Sequence, residues 1–138
     1  MGSKLIRVGT TYLPVKDVKE STEWYVKKLR ATLSYQDETK SILNLANQSI
    51  FLVKSREKQN ANFIDSYDNE HFSITFEVDG LECLHLLHQE FKDSGMIVGE
   101  IESRGHAGQN FVFQDLDGNI FDVWSQLSPI FKEKFMTL

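Results

Sequence analysis

Phe111-Val112-Phe113-Gln114-Asp115-Leu116-Asp117-Gly118-Asn119-Ile120-Phe121-Asp122-Val123-Trp124-Ser125 is the stretch from which the fold of this chain can be read. Two apolar runs flank Asp115-Leu116-Asp117-Gly118-Asn119. An Asp-Gly-Asn step between apolar runs signals a tight turn, because Gly and Asn take positive φ at little cost. Residues 111–114 and 120–125 are therefore expected to be antiparallel strands. Side chains alternate between the two faces of a strand, so Phe121 and Val123 point one way and Ile120, Asp122 and Trp124 the other. Asp122 is a carboxylate on a strand that otherwise reads as buried. A buried carboxylate needs a donor, a cation or a metal beside it. The plainer alternatives are a hydrogen bond from a backbone amide or a Tyr, or a solvent-facing position.

Upstream of this hairpin, residues 71–78 alternate cleanly, with Phe72, Ile74, Phe76 and Val78 on one face and His71, Ser73, Thr75 and Glu77 on the other. This is a strand pattern. Asp79 with Glu82 three residues on predicts a capped helix start, and Leu81, Leu84, Leu87, His88 and Phe91 give it an inward stripe as far as Asp93. Ser94-Gly95 stops the helix. Residues 96–101 read as a strand and 102–110 as a Gly-containing loop. Residues 128–136 form a short amphipathic tail carrying Ile130, Phe131 and Phe135.

The first half carries the same order. Residues 5–15 are β-branched and apolar and read as a strand, with Thr11, Leu13 and Val15 on one face and Val8, Thr10 and Tyr12 on the other; Pro14 points to an edge or a strand end. Asp17 with Glu20 predicts a helix start, and Val18, Ser21, Thr22, Tyr25 and Leu29 its buried stripe, with Trp24 beside it. Arg30-Ala31 ends it without a Gly stop signal. Three strands follow over 32–38, 41–45 and 49–54. Residues 55–69 are polar and without periodicity, a long connection of the kind that is often functional.

The halves repeat. Shifted by 63 residues, Val15 meets Val78, Leu13 meets Phe76 and Thr10 meets Ser73; shifted by 62, Asp17 and Glu20 meet Asp79 and Glu82. The expected fold class is α+β, with two tandem βαβββ modules forming a cupped mixed sheet with helices on the outside. A single domain is expected over 1–138, with module one at about 5–54, a linker at 55–69, module two at about 70–126 and a tail at 127–138. The net charge of -5, without a basic run, argues against nucleic acid and anionic membrane partners. No apolar stretch approaches the ~20 residues of a membrane span. One cysteine, Cys83, cannot form an internal disulfide or a cysteine zinc cage. With no apolar leader core, a cytoplasmic location is expected.

Leu13-Pro14-Val15-Lys16-Asp17, then Ser21, Trp24-Tyr25 and Leu29, and in the second half Phe76-Glu77-Val78-Asp79, Gly95 and Phe113-Gln114-Asp115-Leu116-Asp117-Gly118-Asn119, together resemble the vicinal-oxygen-chelate superfamily. That family holds glyoxalase I, the fosfomycin and bleomycin resistance proteins and the extradiol dioxygenases. The resemblance covers roughly residues 5–126. It departs at Leu116, where the family's usual wording has Pro. In metal-using members each half supplies two His, Gln or Glu ligands from its first and last strands. Carried over, the resemblance implies ligand slots at Thr10, near Phe51 or Leu52, at Ser73 and at Asp122.

Asp122 is the one charged ligand in that set, and hard divalent ions want several oxygen or imidazole donors. No cofactor is therefore expected; the alternative is one divalent metal ion, held by Asp122 and by His71, about 6–7 Å along the strand from Ser73's slot. His85 and His88, spaced i, i+3 on a helix, and His106 in the 102–110 loop are further candidates, each more simply read as an ordinary surface histidine. The resemblance implies a cup lined by Thr10, Tyr12, Ser73, Thr75, Asp122 and Trp124, a set of hydroxyls, aromatics and one carboxylate that suits a polar-aromatic or cationic small molecule. Two functions follow: a small-molecule binding protein without a complete metal site, or a divalent-metal lyase, isomerase or dioxygenase. Exposed tail residues and sheet edges predict a homodimer.

Overall fold

The computed structural model of the chain describes residues 2–136. The chain divides into two compact units, one ending at Asn60 and the other beginning at Ala61. In the first, Asp17 caps α1 (Val18–Leu29) as its spacing predicts: its Oδ1 accepts the Glu20 N–H at 3.0 Å, satisfying a donor that the helix itself leaves unpaired. Val18, Ser21, Thr22 and Tyr25 are the buried stripe. The helix ends on Arg30, which takes the left-handed conformation, φ 59, that Gly more often supplies; this is why the stop carried no signature in the sequence.

The helix covers one face of a four-stranded sheet in the order β1 (Thr10–Val15), β4 (Gln48–Lys54), β3 (Lys40–Leu45), β2 (Thr32–Gln36), with β1 parallel to β4 and the other pairs antiparallel. Leu13, Val15, Leu43, Ile50 and Leu52 are buried. Thr10, Tyr12 and Phe51 alternate with them onto the opposite face, where the Tyr12 and Phe51 rings lie 5.0 Å apart. The strand expected over 5–15 begins only at Thr10. Ser49 N–H still reaches Gly9 O at 2.9 Å, but β4 itself starts at Gln48, so residues further upstream have no strand to pair with; the Arg7 guanidinium donates to Asn47 O at 2.5 Å, while Leu5, Ile6 and Val8 stand exposed. At the β2–β3 turn the Asp37 carboxylate accepts the Thr39 and Lys40 backbone N–H groups, each at 2.9 Å, and the Tyr35 hydroxyl at 2.8 Å. The Thr39 amide first, and then the Tyr35 hydroxyl, hold the Asp37 carboxyl far below its ordinary range, and the same hydrogen bond to Asp37 raises the Tyr35 phenol.

The second unit repeats the order. β7 (Ile74–Glu77) runs parallel to β9 (Ile120–Trp124), and β8 (Asn110–Gln114) is antiparallel to β9, in the sheet order β7-β9-β8. Helix α2 (Leu81–Asp93) buries Leu84 and Phe91. On the same side lies an aromatic cluster, with the rings of Phe91 and Phe113 5.0 Å apart and those of Phe113 and Phe121 5.3 Å apart, within the range that adds to plain area burial.

Four expectations are corrected here. Residues 71–78 are not one strand: β6 (Glu70–His71) turns away to pair with β5 (Phe63–Ile64), and β7 starts at Ile74. The supposedly structureless 55–69 connection therefore contains half of a small hairpin, invisible to a periodicity search because its strands are two residues long. Residues 96–101 make no strand but one isolated bridge, Val98 with Phe113, followed just beyond by a second, Glu102 with Asn110. Gly99 sits where a Cβ would lie 3.0 Å from Val112 Cγ2, so the segment passes too close to β8 for regular side-chain alternation. The N-cap of α2 is Gly80, without a side-chain cap bond, in place of the expected Asp79.

The Asp115–Asn119 turn forms as predicted, with Gly118 at φ 81. Asn119 serves differently from expectation, since it is not among the residues at positive φ. Its Nδ2 donates to Asp115 Oδ2 at 2.8 Å, while its Oδ1 accepts the Ala61 N–H at 2.8 Å. Asn62 reinforces this tie, accepting from Ile120 N–H at 2.9 Å and donating to Gly118 O at 2.8 Å. The tail forms α3 (Pro129–Phe131) and one π-helical turn, Lys132–Met136. Ser128, just before α3, is held by Glu77, whose carboxylate accepts both its amide and its hydroxyl.

Candidate functional site

In the second unit, strand pairing places Thr75 and Val112 directly beside Asp122. Phe121 and Val123 are spent on the apolar side, so alternation sends Asp122 to the opposite face of the sheet, as the sequence predicts. There it is 2% exposed. Its partners are a cation and two neutral donors. Oδ2 accepts the Thr75 hydroxyl at 3.0 Å and the Asn110 amide at 2.9 Å. Oδ1 lies 3.0 Å from Arg104 Nη1; the angles are poor for a hydrogen bond, so this contact is an ion pair held mainly by charge. Asn110 is also buried, and its Oδ1 has no hydrogen-bond partner among the described residues.

Arg104 comes from the 102–109 loop and was missed as a site residue by sequence reasoning. A signal was present: it is the single arginine after residue 60, placed one loop away from the strand whose carboxylate needed a partner. The guanidinium is positioned by three groups. Besides Asp122, Nε donates to Glu102 Oε1 at 2.7 Å, and the guanidinium carbon sits 5.5 Å from the centre of the Phe72 ring. A stacked ring, one charged hydrogen bond and an ion pair together restrict the guanidinium to one position. The same loop is fastened to β9 further along. Trp124 Nε1 donates to Ala107 O at 2.9 Å, and Gln109 N–H donates to Ser125 Oγ at 2.9 Å. Gly108, φ +76, is required at this approach, because a Cβ there would lie 2.9 Å from Trp124 Nε1.

The other sequence candidates fall as follows. Thr75 is exposed apart from its bond to Asp122. Trp124 is half-buried, with His106 edge-on to it at 5.9 Å. Ser73 is exposed and donates to Ala61 O at 2.9 Å. His71 has other partners: its Nδ1 is 2.6 Å from Phe72 O and its ring packs against Phe63 and Phe72, at 4.9 and 4.2 Å. In the first unit Thr10 and Tyr12 are exposed on the face opposite α1. The slot that the family resemblance left between Phe51 and Leu52 resolves by register, since Phe51 shares the face of Tyr12 and Leu52 is buried under the helix. His85 and His88 do not converge; Nε2 of His85 meets Gln109 Oε1 at 3.1 Å and that of His88 meets Gly99 O at 2.8 Å.

A divalent ion does not fit these residues. A phenyl ring stands at one slot, neutral hydroxyls at two, and the remaining carboxylate already carries a guanidinium and two donors. Among the described residues no three His, Cys, Asp or Glu side chains gather in a metal-holding group.

The order of elements, with the first and last strands of each unit parallel neighbours, agrees with comparison to known proteins. The lactoylglutathione lyase of Agrobacterium tumefaciens superposes with a TM-score of 0.71 at 12% identity, covering 89% of this chain and 96% of that one. The fosfomycin resistance protein FosX of Listeria monocytogenes gives 0.68 at 20% identity, over 92% and 96%. A glyoxylase/bleomycin resistance protein/dioxygenase domain from Frankia gives 0.69 at 18%, over 90% and 100%. At these identities the likeness is one of fold. No curated protein matches the sequence. The family model for the Glyoxalase/Bleomycin resistance protein/Dioxygenase superfamily matches residues 7–123. The chain belongs to that superfamily.

Proposed function

We propose that this protein binds a small organic molecule and does so without a complete metal site. The observation that carries this reading is the state of Asp122. It is the one charged residue at the family's ligand positions, and its carboxylate is buried against Arg104, Thr75 and Asn110. In the second unit the residues proposed to face a ligand are Ser73, Thr75 and Trp124; in the first unit, taken by itself, Thr10 and Tyr12 are the proposed ligand-facing positions of its own sheet. Asp122 contributes from behind, by fixing Thr75 and Arg104. The competing reading, a divalent-metal lyase, isomerase or dioxygenase using Asp122 and His71, requires both residues to leave the partners described above.

Trp124 provides the test. Trp24 lies on α1 and packs edge-on to Tyr25 at 5.1 Å, whereas Trp124 shares the polar sheet face with Asp122. In a fluorescence screen of aromatic and cationic compounds, hits are expected to quench wild type and Trp24→Phe, with quenching lost in Trp124→Phe and binding unchanged by EDTA. Equal quenching of Trp124→Phe, or binding that chelator abolishes, would sink the reading. The protein is also proposed to pair as a homodimer, supported by Ile130 and Phe135, which are 69% and 64% exposed in the tail. Sedimentation is expected to give about twice the 15.9 kDa chain mass; a monomer at micromolar concentration would remove the idea.

A further inference from the structure

Asp122 stands where a metal-using relative would place a ligand, yet the group beside it is a guanidinium. Arg104 Nη1 is 3.0 Å from Oδ1, and the side chain that carries it is only 25% exposed. The contact is built, because Arg104 is fixed on two further sides by Glu102 and Phe72 and its loop is pinned to β9 through Trp124 and Ser125. A second cation reaching Asp122 Oδ1 would sit within about 4 Å of a full positive charge in a poorly solvated setting, where repulsion is strong. Approach to Oδ2 would displace the Thr75 and Asn110 donors.

We infer that Arg104 is the resident cation of this site: it takes the place of a divalent ion beside Asp122 and sets the chain's selectivity against metal there. The inference deepens the metal-free reading above. It also accounts for a carboxylate on a buried strand, since an arginine held in a loop needs a fixed counter-charge to hold it. Asp122 alone neutralises Arg104, and with Glu102 the cluster carries one net negative charge, so Arg104 is held between two carboxylates.

Manganese binding and nitrogen NMR test this on the intact protein. Mn(II) added to wild type is expected to keep its free-ion EPR signal, with no binding that Asp122→Asn removes. Arg104→Gln, which keeps much of the side chain's length without its charge, is expected to gain Mn(II) affinity by about tenfold or more, and Arg104→Gln combined with Asp122→Asn to lose that gain. In wild type the Arg104 Nη resonances are expected to be resolved by slowed rotation and to average in Asp122→Asn. Wild-type Mn(II) binding lost in Asp122→Asn, a folded Arg104→Gln with no gain, or freely averaging Arg104 nitrogens in wild type would each overturn the assignment. The NMR arm holds even where Arg104→Gln does not fold. A protein that binds Mn(II) through Asp122 but still quenches through Trp124 keeps small-molecule binding and loses this inference alone.

Discussion

Asp122→Ala is expected to destabilise the protein by about 3 kcal/mol, the lower end of the range for removing one partner of a buried ion pair. The loss is of three contacts at once: the ion pair to Arg104 at 3.0 Å and the hydrogen bonds from Thr75 and Asn110. Asn110, buried to 3%, is left with an amide that has no acceptor. The lower end applies because Arg104 is a quarter exposed and keeps Glu102. Asp122→Asn retains the shape and an acceptor oxygen, and should cost about 1–2 kcal/mol, the scale of a charged hydrogen bond replaced by a neutral one. Urea unfolding measures both. Asp122→Ala with Arg104→Met is expected to be less damaging than Asp122→Ala alone, because no charge is then stranded. A midpoint for Asp122→Ala indistinguishable from wild type would show that Asp122 is not held as described.

Asn119→Ala is the second large effect expected, about 2–4 kcal/mol. Asn119 is 1% exposed and ties Asp115 Oδ2 to the Ala61 amide. Truncation removes the Nδ2 donor to Asp115 Oδ2 and the Oδ1 acceptor of the Ala61 N–H, at about 1–3 kcal/mol for each buried bond lost. The effect should be directional. Hydrogen exchange at Ala61 and through the β5–β6 hairpin is expected to accelerate, because Asn119 fastens this segment to the turn. Leu116→Ser, at a position 52% exposed in the same turn, is expected to stay within about 0.5 kcal/mol of wild type. Equal costs for the two substitutions would mean that the turn is held by its backbone rather than by Asn119.

What the sequence determined on its own is the set of features written in short-range chemistry. Residues 111–125 were legible as a hairpin because alternation and a Gly at the turn act within a few residues. The start of α1 was legible because Asp17 caps a helix three residues away. The doubling of the unit was legible because two copies of one pattern reinforce each other. The sheet face of Asp122 followed from alternation, whereas its burial to 2% exposure came from the structure, since a solvent-facing position was still open in the sequence.

Tertiary structure decided which groups meet across longer gaps. No local pattern announces that residues 63–64 will draw His71 out of the strand that contains Thr75, or that Gly99 will run so close to Val112 that the 96–101 segment makes bridges in place of a ladder. The partner of Asp122 is the clearest case. Sequence could say that a buried carboxylate needs a donor, a cation or a metal, because desolvation makes that demand wherever the carboxylate sits. Which of the three answers it depends on the path of the 102–109 loop, and that path is set by Trp124, Ser125 and the open approach at Gly108, none of which is adjacent in sequence to Arg104.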